Sequence, residues 1–178
     1  RFKMNIFNSM VKNNLSINKV ELLKKSQKLL DRILFIFFAE DRGLLPPNTI
    51  STIISENKEQ ANIGREEPLY NTYKIYFRHI DKGNSKLGIS EYNGGLFAPD
   101  ELLDNLIIED SVLKEDALKI SAYDFSSDID VNILGHIFEN SLNDIDEMHA
   151  EVTGAEFDKS KTKRKKDGVF YTPSYITK

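Results

Sequence analysis

The sequence contains no cysteine and only three histidines among 178 residues. That excludes a disulfide framework and thiolate metal sites, and it leaves little imidazole for catalysis or metal binding. The absence of cysteine also fits a reducing cytoplasm, the compartment expected for this chain. Long apolar runs are absent as well. The longest, Ile33 to Ala39, falls far short of the roughly 20 residues that span a membrane, so it reads as part of a buried helix and no membrane partner is expected. Arg1 is not followed by the charged-then-apolar pattern of a signal peptide. With no initiator Met, and with Lys178 a few residues into what reads as a new helix, both ends are expected to be cuts from a longer chain. No internal repeat is present.

What remains is a composition suited to a packed core: 40% hydrophobic and 29% charged residues, in a chain of ordinary domain length. The net charge of −4 is unevenly spread. Residues 1–158 carry 17 basic and 27 acidic side chains, whereas residues 159–178 carry 7 and 1. An acidic body does not attract DNA by bulk electrostatics, so any nucleic-acid contact must come from local patches.

The pattern predicts a mainly α fold: an irregular helical bundle with a basic linker and a short extended segment at the C-terminus. Lys19 to Arg42 has Leu23, Leu30 and Phe37 seven apart, with Leu22, Leu29, Ile33 and Leu34 on the same side. This reads as a long amphipathic helix that becomes apolar all round near its end and enters the core. Gly43, which accepts positive φ, and then Leu44, Leu45, Pro46 and Pro47 form a strong stop signal. Further helices are predicted over Asn48 to Glu59, Leu69 to His79, Ser111 to Ser121 and Asp128 to Leu142. The crowding of Tyr70, Tyr73, Ile75, Tyr76, Phe77 and Ile80 suggests core packing. Glu91 to Phe97 is a glycine turn, not a phosphate loop, since no strand precedes it and no Lys-Ser/Thr follows. Pro99-Asp100-Glu101 then looks like a helix start.

Residues 143–167 are poor in apolar side chains and include the run Lys-Ser-Lys-Thr-Lys-Arg-Lys-Lys, so they read as a polar and basic linker. Within it, Lys163, Arg164, Lys165 and Lys166 are the candidates for DNA phosphate contacts, a solvated linker being the alternative. Next comes Asp167-Gly168-Val169-Phe170-Tyr171-Thr172-Pro173-Ser174-Tyr175-Ile176. Val169 to Tyr171 has β character, Thr172 is a good N-cap, and Pro173 is pre-set for the first helical position. Such a helix start suits a carboxylate, although a plain capped helix has the same local signature.

Gly168-Val169-Phe170-Tyr171-Thr172-Pro173 resembles the motif that opens the catalytic domain of adenine-specific DNA methyltransferases, including single-chain type IIG restriction–modification enzymes. Three upstream segments resemble the helical region preceding that motif: Arg32 to Pro46, Tyr92 to Phe97, and Leu134 to Glu139. The resemblance runs over roughly residues 29–177. It implies a helical connector over 1–142, a linker over 143–167, and the start of an S-adenosylmethionine-dependent domain over 168–178. Phe170, Tyr171, Thr172 and Pro173 would then border the methionine end of S-adenosylmethionine, and double-stranded DNA would be the partner of the parent protein. The family's glycine-rich cofactor motif and its Asn-Pro-Pro-aromatic catalytic motif do not occur here. The resemblance therefore implies a parent methyltransferase but no catalytic residue in this stretch, which is not expected to transfer methyl groups alone.

Two other classes stay open. Asp41 with Glu56-Asn57-Lys58 imitates the spaced Asp and Glu-x-Lys of metal-dependent nucleases, but that chemistry needs Glu56 and Lys58 on a strand, and the stretch reads helical. Mg²⁺ is expected only if a nuclease domain stands elsewhere in the parent. The other class is a purely structural helical interaction module. His136 and Glu139, one turn apart, read as a surface or satisfied pair rather than metal ligands, so no metal site is expected.

Overall fold

The computed structural model describes residues 1–92 and 94–121. Among them the fold is helical throughout, with six α-helices and no strand: α1 (Phe2–Asn13), α2 (Lys19–Asp41), α3 (Thr49–Asn62), α4 (Leu69–Lys82), α5 (Glu101–Asp104) and α6 (Ala117–Ile120). The mainly α expectation therefore holds. A single turn of 3₁₀ helix, Ser85–Leu87, is closed by an antiparallel bridge between Asn84 and Ile89. The predicted helix Asp128 to Leu142 and the C-terminal extended segment lie outside the described residues.

Helix α2 is the centre of the packing, against α1, α3 and α5. Asn18 caps its start by accepting the Val20 N–H. Leu22, Leu23, Leu29, Ile33, Ile36 and Ala39 are essentially inaccessible. Each fully buried Leu or Ile of this kind contributes about 1.5–3 kcal/mol. The helix ends as its sequence predicts: Gly43 takes φ +67°, and the N–H groups of Leu44 and Leu45 turn back to the Ala39 carbonyl at 2.8 and 3.1 Å.

Two findings differ from the sequence reading. The first is α1, a stretch for which no element was predicted; Asn5, Asn8, Ser9 and Asn13 are poor helix formers, and Arg1 supplies no side-chain cap. Its helix rests on burial of Ile6 and Met10, and on polar side chains that fasten it to the segment before α6. Asn5 donates to Asp116 at 2.6 Å, Ser9 Oγ accepts the Glu109 N–H at 2.9 Å, and Asn14 both donates to the Ile107 carbonyl and accepts the Ile107 N–H. The residues that weaken the isolated helix thus tie it into the fold. The second is Ser111 to Ser121, predicted as one helix. It is helical through Ile120 as predicted, but a widened π-type turn over Val112–Asp116 interrupts it before the α-helical Ala117–Ile120.

Helix α4 buries Tyr70, Tyr73, Tyr76, Phe77 and Ile80 as the aromatic crowding predicts, but Ile75 points outward and is 48% exposed. Position 75 falls between the buried 73 and 76–77, on the opposite side of the helix. Among the described residues, no helix is long and apolar enough to cross a membrane.

Candidate functional site

The predicted cofactor residues Phe170, Tyr171, Thr172 and Pro173 lie outside the described residues, as do Lys163, Arg164, Lys165, Lys166, His136 and Glu139. Of the three upstream segments named above, Arg32 to Pro46 and Tyr92 to Phe97 are described, apart from Asn93, and the fold brings them together.

Arg32 makes the junction. It stands mid-way along α2, and its side chain is 1% exposed. Nε donates to the Leu96 carbonyl and Nη2 to the Ala98 carbonyl, both at 2.8 Å. The guanidinium lies 4.9 Å from the centre of the Phe77 ring and 3.7 Å from Asp104 Oδ1. A buried charge needs this much compensation, and the planar fork of arginine meets two carbonyls at once. Around it, Phe35 sits 4.5 Å from Tyr92 and 5.3 Å from Phe97, while Phe77 sits 5.7 Å from Phe97. The Tyr92 N–H is held by the Ile80 carbonyl at 2.8 Å. The two glycines are explained by this crowding: Gly95 adopts φ +75°, and a Cβ at Gly94 would collide with the Tyr92 ring.

Beside the junction, Asp100 caps α5 by accepting the Leu103 N–H, and it receives Lys25 and Lys28 at 2.8 Å each. Burial alone would raise the pKa of Asp100. The hydrogen bonds from Lys25, Lys28 and the Leu103 N–H outweigh it and hold this carboxyl well below the usual range. The sequence reading found Asp100 as a helix start but not its two lysine partners, and it gave Arg32 no role of its own. The available signal was an arginine within an otherwise apolar helix face, followed later by a glycine turn rich in carbonyls.

At the far end of α2, Glu40 serves a different helix. Asn48 sits in the left-handed region at φ 61° and offers α3 no side-chain cap. Glu40 Oε1 instead accepts the Ile50 N–H at 3.1 Å. Burial pushes the Glu40 carboxyl up to about 7, the Ile50 N–H working against the shift and the neighbouring Asp41 charge with it.

The nuclease-like constellation does not assemble. Glu56 and Lys58 lie on α3, where residues two apart diverge by about 200°. Glu56 accepts the Tyr76 hydroxyl at 2.8 Å, and Lys58 is exposed. No group of three or more His, Cys, Asp or Glu side chains suited to a metal occurs among the described residues. Arg32, Lys25, Lys28 and Asp100 are each engaged with other groups of the protein, so together they hold the glycine turn against α2 and α5.

The geometry thus defines an α-helical scaffold organised around a tethered glycine turn. Comparison with known proteins adds the class. The chain is similar to a provisionally named type II restriction enzyme and methyltransferase of Methanocaldococcus jannaschii, 27% identical over 190 aligned positions that take in 90% of this chain. The match occupies 14% of the relative's length. At the level of class, the chain is therefore similar to a restriction–modification protein. No family model and no solved structure matches it.

Proposed function

We propose that this chain is the helical connector of an adenine-specific DNA methyltransferase of the restriction–modification type, together with the first motif of its cofactor domain. The observation that carries the reading is the similarity, along nine-tenths of the chain, to a relative named for both restriction and methyl transfer. The Arg32 junction adds support, because it locks together two of the segments that carry the family resemblance. In this reading residues 1–142 form the connector, 143–167 the linker and 168–178 the start of the methyltransferase domain. S-adenosylmethionine supplies the methyl group when bound. Phe170, Tyr171, Thr172 and Pro173 border its methionine end, with Thr172 capping a helix whose N–H groups face the carboxylate. Lys163, Arg164, Lys165 and Lys166 meet phosphates of double-stranded DNA. The connector carries no catalytic residue and does not methylate DNA alone.

The test uses the full-length protein from which the stretch comes. Thr172→Ala removes a capping hydroxyl worth about 0.5–2 kcal/mol, so S-adenosylmethionine affinity measured by calorimetry drops by roughly three- to thirtyfold. Replacing Lys163, Arg164 and Lys165 together leaves cofactor affinity unchanged, while it lowers DNA affinity and flattens its salt dependence. Unchanged cofactor affinity in a folded Thr172→Ala protein reduces the motif to a plain capped helix and removes the residue-level support for the reading.

A further inference from the structure

The outer side of α3 meets α6 along an open groove of about 510 Å³. Its floor is apolar, made by Ile54, Ala61, Leu69 and Leu118, and Leu118 remains 40% exposed. Lys58 and Lys114 stand on its walls, both exposed, and neither forms an ion pair among the described residues. Asp110 also lines the groove, but its carboxylate accepts the Leu69 N–H at 2.9 Å; an apolar floor flanked by Lys58 and Lys114 then asks for an occupant that is apolar on one side and acidic on the other.

The chain itself supplies such a segment, and starts it in the right place. Ser121, the last described residue, lines a small cavity with Ser51, and Ser51 also borders the groove. Ser121 thus stands close to one end of the groove. Residues 122–158 contain ten Asp or Glu side chains and no Lys or Arg. Within them, 128–142 has the helical spacing of Ile129, Ile133 and Ile137, with Leu134, Phe138 and Leu142 alongside. Six residues separate Ser121 from Asp128, and a connection of that length reaches up to roughly 20 Å. A helix over 128–142 would be about 22 Å long at the α-helical rise, enough to run the length of the groove beside α3.

We propose that this groove seats the chain's own segment 128–142, its apolar side covering Ile54, Ala61 and Leu118 while its carboxylates face Lys58 and Lys114. This fixes where the linker of 143–167 departs, and it depends on neither cofactor nor DNA. The experiment is amide hydrogen exchange on the full chain. In the unsubstituted protein, amides of 129–142 exchange slowly. Leu118→Asp, and separately the double variant Lys58→Glu with Lys114→Glu, accelerate them by roughly tenfold or more, with α3 unaffected. Adding Asp128→Lys and Glu139→Lys, which at helical spacing fall together beside the apolar stripe, to the double variant restores slow exchange. The two lysines are exposed, so their replacement tests the contact even if Leu118→Asp unfolds α6. Fast exchange of 129–142 in the unsubstituted chain overturns the proposal, and so does protection that both variants leave intact. Protection that disappears on dilution assigns the groove to a second copy of the chain and overturns it equally.

Discussion

The Arg32 junction and the α3–α6 groove belong to one helical scaffold and treat charge in opposite ways. At the junction, Arg32, Lys25, Lys28 and Asp100 all have partners, and the rings of Phe35, Phe77 and Phe97 pack together beside the buried Arg32. At the groove, two lysines and an exposed leucine face solvent without a match among the described residues. A closed polar network fixes one arrangement of the backbone, because any displacement strands a buried charge. An open one leaves its energetics to whatever covers it. The junction therefore reads as the rigid element of this chain, and the groove as its docking face.

That contrast can be broken first at its strongest point. Arg32→Ala removes the only guanidinium of the junction and leaves the Leu96 and Ala98 carbonyls without their donor. Stability should fall by about 3–5 kcal/mol, measured as a lower urea midpoint. A loss within experimental error would mean that the glycine turn is held by its aromatic contacts alone. Asp100→Asn is the next largest. Asparagine keeps the cap of α5 but gives up the charge that Lys25 and Lys28 share, at a cost of about 1–2 kcal/mol. Because the folded pKa is lowered, this contribution is present above the ordinary value of 3.8 and is lost as pH falls through the folded value. The difference between wild type and variant should therefore narrow in strong acid.

Glu40 gives the opposite pH slope and lies outside both regions. Its carboxyl rises from 4.5 to about 7 on folding. Its contribution is thus fully present below pH 4.5 and is lost as pH rises through about 7. Asp31 adds to the same trend, since burial, opposed by the Gln27 hydrogen bond and by Lys3, raises it to about 6. Glu40→Gln retains an oxygen for the Ile50 N–H and removes the titration. Chemical denaturation of the variant at pH 5 and pH 8 should show a shallower loss than the parent protein, and an identical loss would exclude Glu40 as its source. The smallest effect is expected at the exposed end of α3. Ile63, 67% exposed, should tolerate Ser within about 0.5 kcal/mol. A larger change in melting temperature would extend the docking face beyond the groove.

Much of the fold was legible before any coordinates. The course of α2, its stop at Gly43, the start of α5 at Asp100 and the burial of α4's aromatic side all follow from local signals: a period of 3.6, a glycine that accepts positive φ, a capping carboxylate. The candidate site was less legible. Its two described segments were recognised separately, but nothing local says that they touch. The docking groove left no mark of its own in the sequence: Lys58 was weighed only as part of the Glu-x-Lys triplet, and Lys114 was given no role.

By itself, then, the sequence determined which stretches become helices wherever periodicity and caps agree, and that an acidic body precedes a basic tail. Tertiary structure alone decided that Phe2–Asn13 is helical, that Arg32 is buried against carbonyls 64 and 66 residues away, and that Glu40 caps a helix other than its own. The reason is physical. A weak helix, a buried charge and a borrowed cap are each unfavourable in isolation, and each becomes favourable only when a partner distant in sequence is already in place.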